Sequence, residues 1–122
     1  MRILIVEDST LVQKMYGMVF PPRDHLMERA ANGREALVRL EGSTDPFDLI
    51  LLDLRMPDMN GVEFITEIRK RGGAISRVPI ILTTAEPEES ELMLQARSLG
   101  VAGIVRKPWK PQELREAVQS LV

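Results

Sequence analysis

The run Leu49-Ile50-Leu51-Leu52, closed by Asp53 and followed by Pro57, restricts the fold more than any other stretch. It shows no alternation of polar and apolar side chains. A strand with one wet face alternates, whereas a strand buried on both faces, as in a parallel sheet covered by helices, reads continuously apolar. Proline lacks a backbone donor and disfavours helix at the residue before it, so a loop is expected after the strand. Asp53 is thereby expected at the carboxyl end of a central strand. In open α/β sheets that is the rim where ligands bind.

The rest of the chain supplies such a sheet. Ile3 to Val6 reads as a first buried strand that ends in Glu7-Asp8-Ser9-Thr10. Ser9 or Asp8 suits a helix cap, and Leu11, Val12, Met15, Met18 and Val19 are expected to form that helix's apolar face. Pro21-Pro22 ends it, and Leu26 to Ala31 is placed as a second strand. Asn32-Gly33-Arg34-Glu35 and Asn60-Gly61-Val62-Glu63 share a cap pattern, with Asn at the cap and Glu three residues on. Each is read as a helix start, the second helix of the pair ending at Gly72-Gly73. Val78 to Thr83 is a fourth strand. Pro87, Glu88 and Glu89 are expected to open a helix that runs to about Ser98. Ala102 to Arg106 is a fifth strand, and Pro111 opens the last helix. Five strands alternating with five helices imply a parallel sheet with helices on both faces. Right-handed crossovers bring every strand's carboxyl end to one rim.

Composition bounds the function. A chain of 122 residues, 44% hydrophobic, has the size and apolar content of one globular domain, taken as 1–122. With 16 Lys+Arg against 18 Asp+Glu the net charge is -2, which argues against direct nucleic-acid binding. The absence of cysteine excludes a disulfide framework, a thiolate metal site and a thiol nucleophile. Met1 to Val6 is too short and too soon acidic for a signal peptide, and no apolar run approaches a membrane span. A cytoplasmic protein without membrane contact is expected.

The rim collects Glu7 and Asp8 from strand one, Asp53 from strand three, Thr83-Thr84-Ala85 from strand four and Lys107 from strand five. Three carboxylates in one crevice repel each other, and a divalent cation removes the conflict. Mg²⁺ favours a few carboxylates, a carbonyl and waters, and a phosphoryl group can complete that shell. Lys107 and a threonine hydroxyl can meet further phosphoryl oxygens. These are the requirements of phosphoryl transfer, in which positioning and charge neutralisation dominate. The nucleophile is then a carboxylate, because there is no cysteine and the one histidine, His25, lies elsewhere. Taken singly, Asp8 is a helix cap, Asp53 a turn acid, Thr84 a strand-end hydroxyl and Lys107 a solvated amine. Jointly, separate strand ends carry the residue types that one chemistry needs.

Glu7-Asp8-Ser9, Asp53-Leu54-Arg55-Met56-Pro57 with Gly61, Thr84-Ala85 and Lys107-Pro108 resemble the receiver domain of two-component response regulators, in the family's order along the whole chain. The resemblance implies a flavodoxin-like, doubly wound sheet in strand order 2-1-3-4-5. It implies Asp53 as phosphoacceptor, Thr84 and Lys107 as partners of the phosphoryl oxygens, and a cis Lys107-Pro108 bond that aims the lysine at the rim. It implies Mg²⁺ held by Asp8, Asp53 and the Arg55 carbonyl, with Glu7 acting through water. Ala85 leaves room for the phosphoryl group. Arg55 and Glu86 flank the path of a hydrolytic water. Ile104 stands where the family often has an inward-rotating Tyr or Phe. The implied partners are a histidine kinase or phosphotransfer domain and a downstream protein, met through the face of the fourth helix, fifth strand and fifth helix. The implied state is a monomer or a weak phosphorylation-dependent dimer, and the protein is a phosphoacceptor rather than an enzyme. A degenerate receiver acting only as a binding module is the alternative, which the intact acids, threonine and lysine disfavour. A flavodoxin-type FMN protein needs a Ser/Thr/Gly-rich loop where Glu7-Asp8 stands. A haloacid-dehalogenase phosphatase needs an acid where Arg55 stands, and the P-loop motif is missing.

Overall fold

The structure, a computed structural model, describes residues 1–121. Its strands are β1 (Arg2–Val6), β2 (Leu26–Ala30), β3 (Leu49–Leu52), β4 (Ile80–Thr84) and β5 (Gly103–Arg106). Its helices are α1 (Thr10–Val19), α2 (Gly33–Gly42), α3 (Gly61–Arg71), α4 (Gly73–Ser76), α5 (Glu91–Ser98) and α6 (Pro111–Gln119). The sheet is parallel throughout, in the order β2-β1-β3-β4-β5. It reverses direction of growth between β1 and β3, so the ends of those two strands border one crevice.

Period-two alternation sends the sheet's side chains into two cores. Leu4, Val6, Ile50, Leu52, Ile80 and Leu82 meet the α2, α3 and α5 layer. Ile3, Ile5, Leu49, Leu51, Ile81 and Val105 meet α1 and α6. The central run Leu49–Leu52 is buried along its whole length, as a two-faced strand requires.

Both Asn-Gly helix starts are present, with different geometry. Asn60 accepts from the Glu63 amide while Glu63 accepts from the Asn60 amide, a complete reciprocal cap. Asn32 accepts from the Glu35 amide, but the Glu35 carboxylate takes the Ala31 amide instead.

Three expectations are corrected. The helix count among the described residues is six, because Gly72 and Gly73, at φ 66° and 64°, turn the chain into the one-turn α4 before β4. The helix expected from Pro87 begins later, at Glu91, with Ser90 accepting from the Met93 amide. Pro87 lies in a preceding turn, where its carbonyl accepts from the Ser90 amide at 3.0 Å. The hydroxyl cap competes successfully with a proline start. On α1 the apolar face is rotated: Leu11, Met15 and Met18 are 69%, 40% and 81% exposed, while Tyr16 and Val19 are buried.

Candidate functional site

β1 and β3 carry their acids to neighbouring positions. The Asp53 amide donates to the Val6 carbonyl at 3.2 Å and the Glu7 amide to the Ala30 carbonyl at 3.0 Å, so both residues continue the ladder before the chain turns away. Glu7 and Asp53 are buried, and Asp8, two residues beyond β1, is exposed. One carboxylate oxygen from each of Glu7, Asp8 and Asp53 lies within 4.8 Å of the others. Carboxylates this close suit one small hard cation, so the donor set fits Mg²⁺.

Lys107 leans across the same crevice. Its Nζ lies 2.5 Å from Glu7 Oε1 and 3.2 Å from Asp53 Oδ2. Its backbone amide donates to the Thr84 carbonyl at 2.9 Å, and the Lys107-Pro108 bond is cis. Burial works against the ammonium, yet the hydrogen bond to Glu7 and the charges of Asp53 and Glu7 outweigh it and hold the amine above its usual range. Burial also raises the Glu7 carboxyl, and the Lys107 hydrogen bond and charge only partly offset this. The crevice therefore favours added positive charge.

The loops behind the acids are tightly set. The Arg55 amide donates to Asp53 Oδ1 at 3.2 Å, and the Gly61 amide to the Leu54 carbonyl at 2.9 Å. A Cβ on Gly61 would stand 2.7 Å from Leu54 Cδ2 and 2.9 Å from Leu54 Cα, so only glycine permits this approach. Asp58, at φ 68°, takes the left-handed conformation that Asp tolerates better than most residues.

Thr84 is fully buried, and its Oγ1 accepts from the Glu86 amide at 3.1 Å. Ala85, beside it, is exposed. Arg55 and Glu86 meet across the rim, Nη2 to Oε1 at 2.8 Å. The rim thus gathers Glu7, Asp8, Asp53, Arg55, Thr84, Ala85, Glu86 and Lys107. Ile104 stands apart on β5, partly exposed and packed on the core beneath α5.

Two arrangements escape a reading by motif. One is the direct Lys107–Glu7 ion pair, since Glu7 and Lys107 are both assigned elsewhere by the resemblance. The other is Tyr16, whose hydroxyl donates to Thr83 Oγ1 and whose ring stacks on Trp109. The available signal was the i, i+4, i+7 spacing of Val12, Tyr16 and Val19, which marks the inner stripe of α1.

Comparison with known proteins agrees with this geometry. The family model "Response regulator receiver domain" matches residues 3–119. A protein-glutamate methylesterase/protein-glutamine glutaminase of Treponema denticola is 36% identical over 88% of this chain and 28% of its own length. The transcriptional regulatory protein ResD of Bacillus subtilis is 32% identical over 99% of this chain and 48% of its own. The chain thus spans less than half the length of either relative. Among solved structures, the chemotaxis response regulator CheY4 of Vibrio cholerae superposes with a TM-score of 0.86 at 30% identity, covering 99% of this chain and 98% of its own.

Proposed function

The chain belongs to the response regulator receiver family, and we propose that it accepts a phosphoryl group on Asp53 from a histidine kinase or phosphotransfer domain. The observation that carries this reading is the buried Asp53 carboxylate set between two further acids and the Lys107 ammonium. An Asp53 oxygen forms the new bond to phosphorus as the bond from phosphorus to the donor's histidine nitrogen breaks. That nitrogen then takes a proton. Lys107 exchanges its contact with Asp53 for a phosphoryl oxygen, and the Thr84 hydroxyl leaves the Glu86 amide to meet another. Exposed Ala85 leaves that space open. Glu7, Asp8, Asp53 and the Arg55 carbonyl are the groups that would hold Mg²⁺, which supplies neutralising charge for the phosphoryl oxygens when bound.

The signal leaves by protein contact, through the face of α5, β5 and α6. Support for this face is its position beyond Thr84 on the sheet edge and the exposed Leu94 on α5. A monomer or a weak phosphorylation-dependent dimer in the cytoplasm fits the reading. No helix among the described residues is long and apolar enough to cross a membrane.

The test is incubation with acetyl phosphate and Mg²⁺, followed by intact mass. One added phosphoryl group, absent in Asp53→Asn and released by hydroxylamine, is expected. No adduct on the wild type would turn the assignment toward a degenerate receiver. A hydroxylamine-stable adduct, or one on Ser9 or Thr84, would overturn Asp53 as the acceptor.

A further inference from the structure

Tyr16 has no part in the chemistry described so far, yet it joins the two strand ends that bear Thr84 and Lys107. It is fully buried in the middle of α1. Its hydroxyl donates to Thr83 Oγ1 at 2.8 Å. Its ring stacks on Trp109, with centroids 5.1 Å apart and planes 24° from parallel. If Tyr16 served only as filler, phenylalanine would occupy nearly the same space without bringing a polar group into the core. A buried hydroxyl needs a partner, and Thr83 is the one it has. Burial also raises the phenol's pKa, which keeps it protonated and able to donate.

The contacts close a ring. Thr83 faces α1 with Ile81, and Thr84, the next residue, faces the opposite layer toward the crevice. The Thr84 carbonyl accepts from the Lys107 amide at 2.9 Å. Trp109 follows Lys107 by two residues and returns to Tyr16 through the stack. Movement of the Lys107 segment against β4 therefore strains either the hydrogen bond or the stack. The ion pair of Lys107 with Asp53 cannot do this work throughout the reaction, because that contact is exchanged as phosphorus arrives. The aromatic and hydroxyl contacts lie outside the reacting atoms and persist.

We propose that Tyr16 is a positioning residue for phosphoryl acceptance, holding the segments of Thr84 and Lys107 against Asp53 through its bond to Thr83 and its stack on Trp109. The proposal rests on the phosphoacceptor reading above. It assigns the role to a residue on α1, away from the strand-end motifs.

The experiment compares wild type, Tyr16→Leu, Trp109→Phe and the double variant Tyr16→Phe/Thr83→Val. The measurements are the phosphorylation rate with acetyl phosphate at saturating Mg²⁺, the equilibrium Mg²⁺ titration and urea unfolding. Removing both hydroxyls leaves no unpaired polar group, so the double variant should unfold close to wild type. It should also bind Mg²⁺ as wild type does, since Glu7, Asp8 and Asp53 are untouched. Its phosphorylation rate should nevertheless fall about tenfold, equivalent to about 1.4 kcal/mol in the barrier. Tyr16→Leu, which also loses the stack, should fall further, and Trp109→Phe, which keeps an aromatic face against Tyr16, should retain most of the rate. A double variant that is stable and phosphorylates at the wild-type rate overturns the proposal. So does a rate loss matched in proportion by lost Mg²⁺ affinity or by unfolding, because Tyr16 is then only structural. A wild type that takes no phosphoryl group from acetyl phosphate overturns the phosphoacceptor reading and this inference with it.

Discussion

The Arg55–Glu86 pair sets an expectation for how long a phosphoryl group lasts on Asp53. The pair bridges the loops after β3 and β4, with Nη2 and Oε1 2.8 Å apart. On the proposed reading, a water that hydrolyses the acyl phosphate must come in line with the bond from Asp53 to phosphorus, and the family resemblance puts these two side chains beside that path. Arg55 is 71% exposed and Glu86 only 11%, so solvent screens one end of the pair and its strength is about 0–1 kcal/mol. If the whole of that must be given up when water enters, the barrier rises by at most about 1 kcal/mol and hydrolysis slows by at most about fivefold. An opposite effect arises if the guanidinium turns toward phosphorus and steadies the developing charge. Its bond to Glu86 holds it toward the β4 loop instead, so obstruction is the expected winner. The assay is decay of the phosphorylated protein after donor removal, for wild type, Arg55→Ala, Glu86→Ala and the double variant. Each single variant should decay faster, by up to about fivefold, and the double variant should add little, because the two residues act as one unit. Slower decay in either single variant, or a double variant that matches wild type, refutes the gate.

Gly61→Ala should lower stability by about 1–3 kcal/mol in urea unfolding, because the new methyl would meet the Leu54 backbone at 2.9 Å. Asp8→Ala should lose both Mg²⁺ binding and phosphorylation, read by titration of Trp109 fluorescence and by intact mass. Its stability should stay within about 0.5 kcal/mol of wild type, since Asp8 is exposed. The Tyr16 phenol is raised by burial from its ordinary value of 10.0, so the folded state holds that proton more tightly than the unfolded chain. Its contribution is complete below pH 10.0 and is lost as pH rises through the folded value. Urea unfolding either side of that pH should therefore show a shallower alkaline decline in Tyr16→Phe. Lys107, also raised, leaves a residual decline in both proteins.

Local chemistry made much of this molecule legible from its residues. A continuous apolar run such as Leu49–Leu52 has only one comfortable setting, a strand covered on both faces, and alternating helices then require a parallel sheet. Short-range cap chemistry marked Asn32 and Asn60 as helix starts, because the groups that satisfy each other lie three residues apart. The acids, threonine and lysine were readable as one set because parallel strands share a rim, whatever the details of their packing. Other features depend on which elements press together. Leu11, Met15 and Met18 are as apolar as the residues that α1 buries, and only its seating on the sheet chose Tyr16 and Val19 for the interior. The start of α5 was a contest between Pro87 and Ser90, both acceptable locally, and Ser90 won. Lys107 and Glu7 lie 100 residues apart, so their ion pair, like the bond from Tyr16 to Thr83, exists only once the sheet closes. The sequence by itself determined which chemistries the rim could perform, because residue type and strand order suffice for that. Tertiary structure alone decided which partner each side chain faces, because those contacts join residues that no local pattern connects.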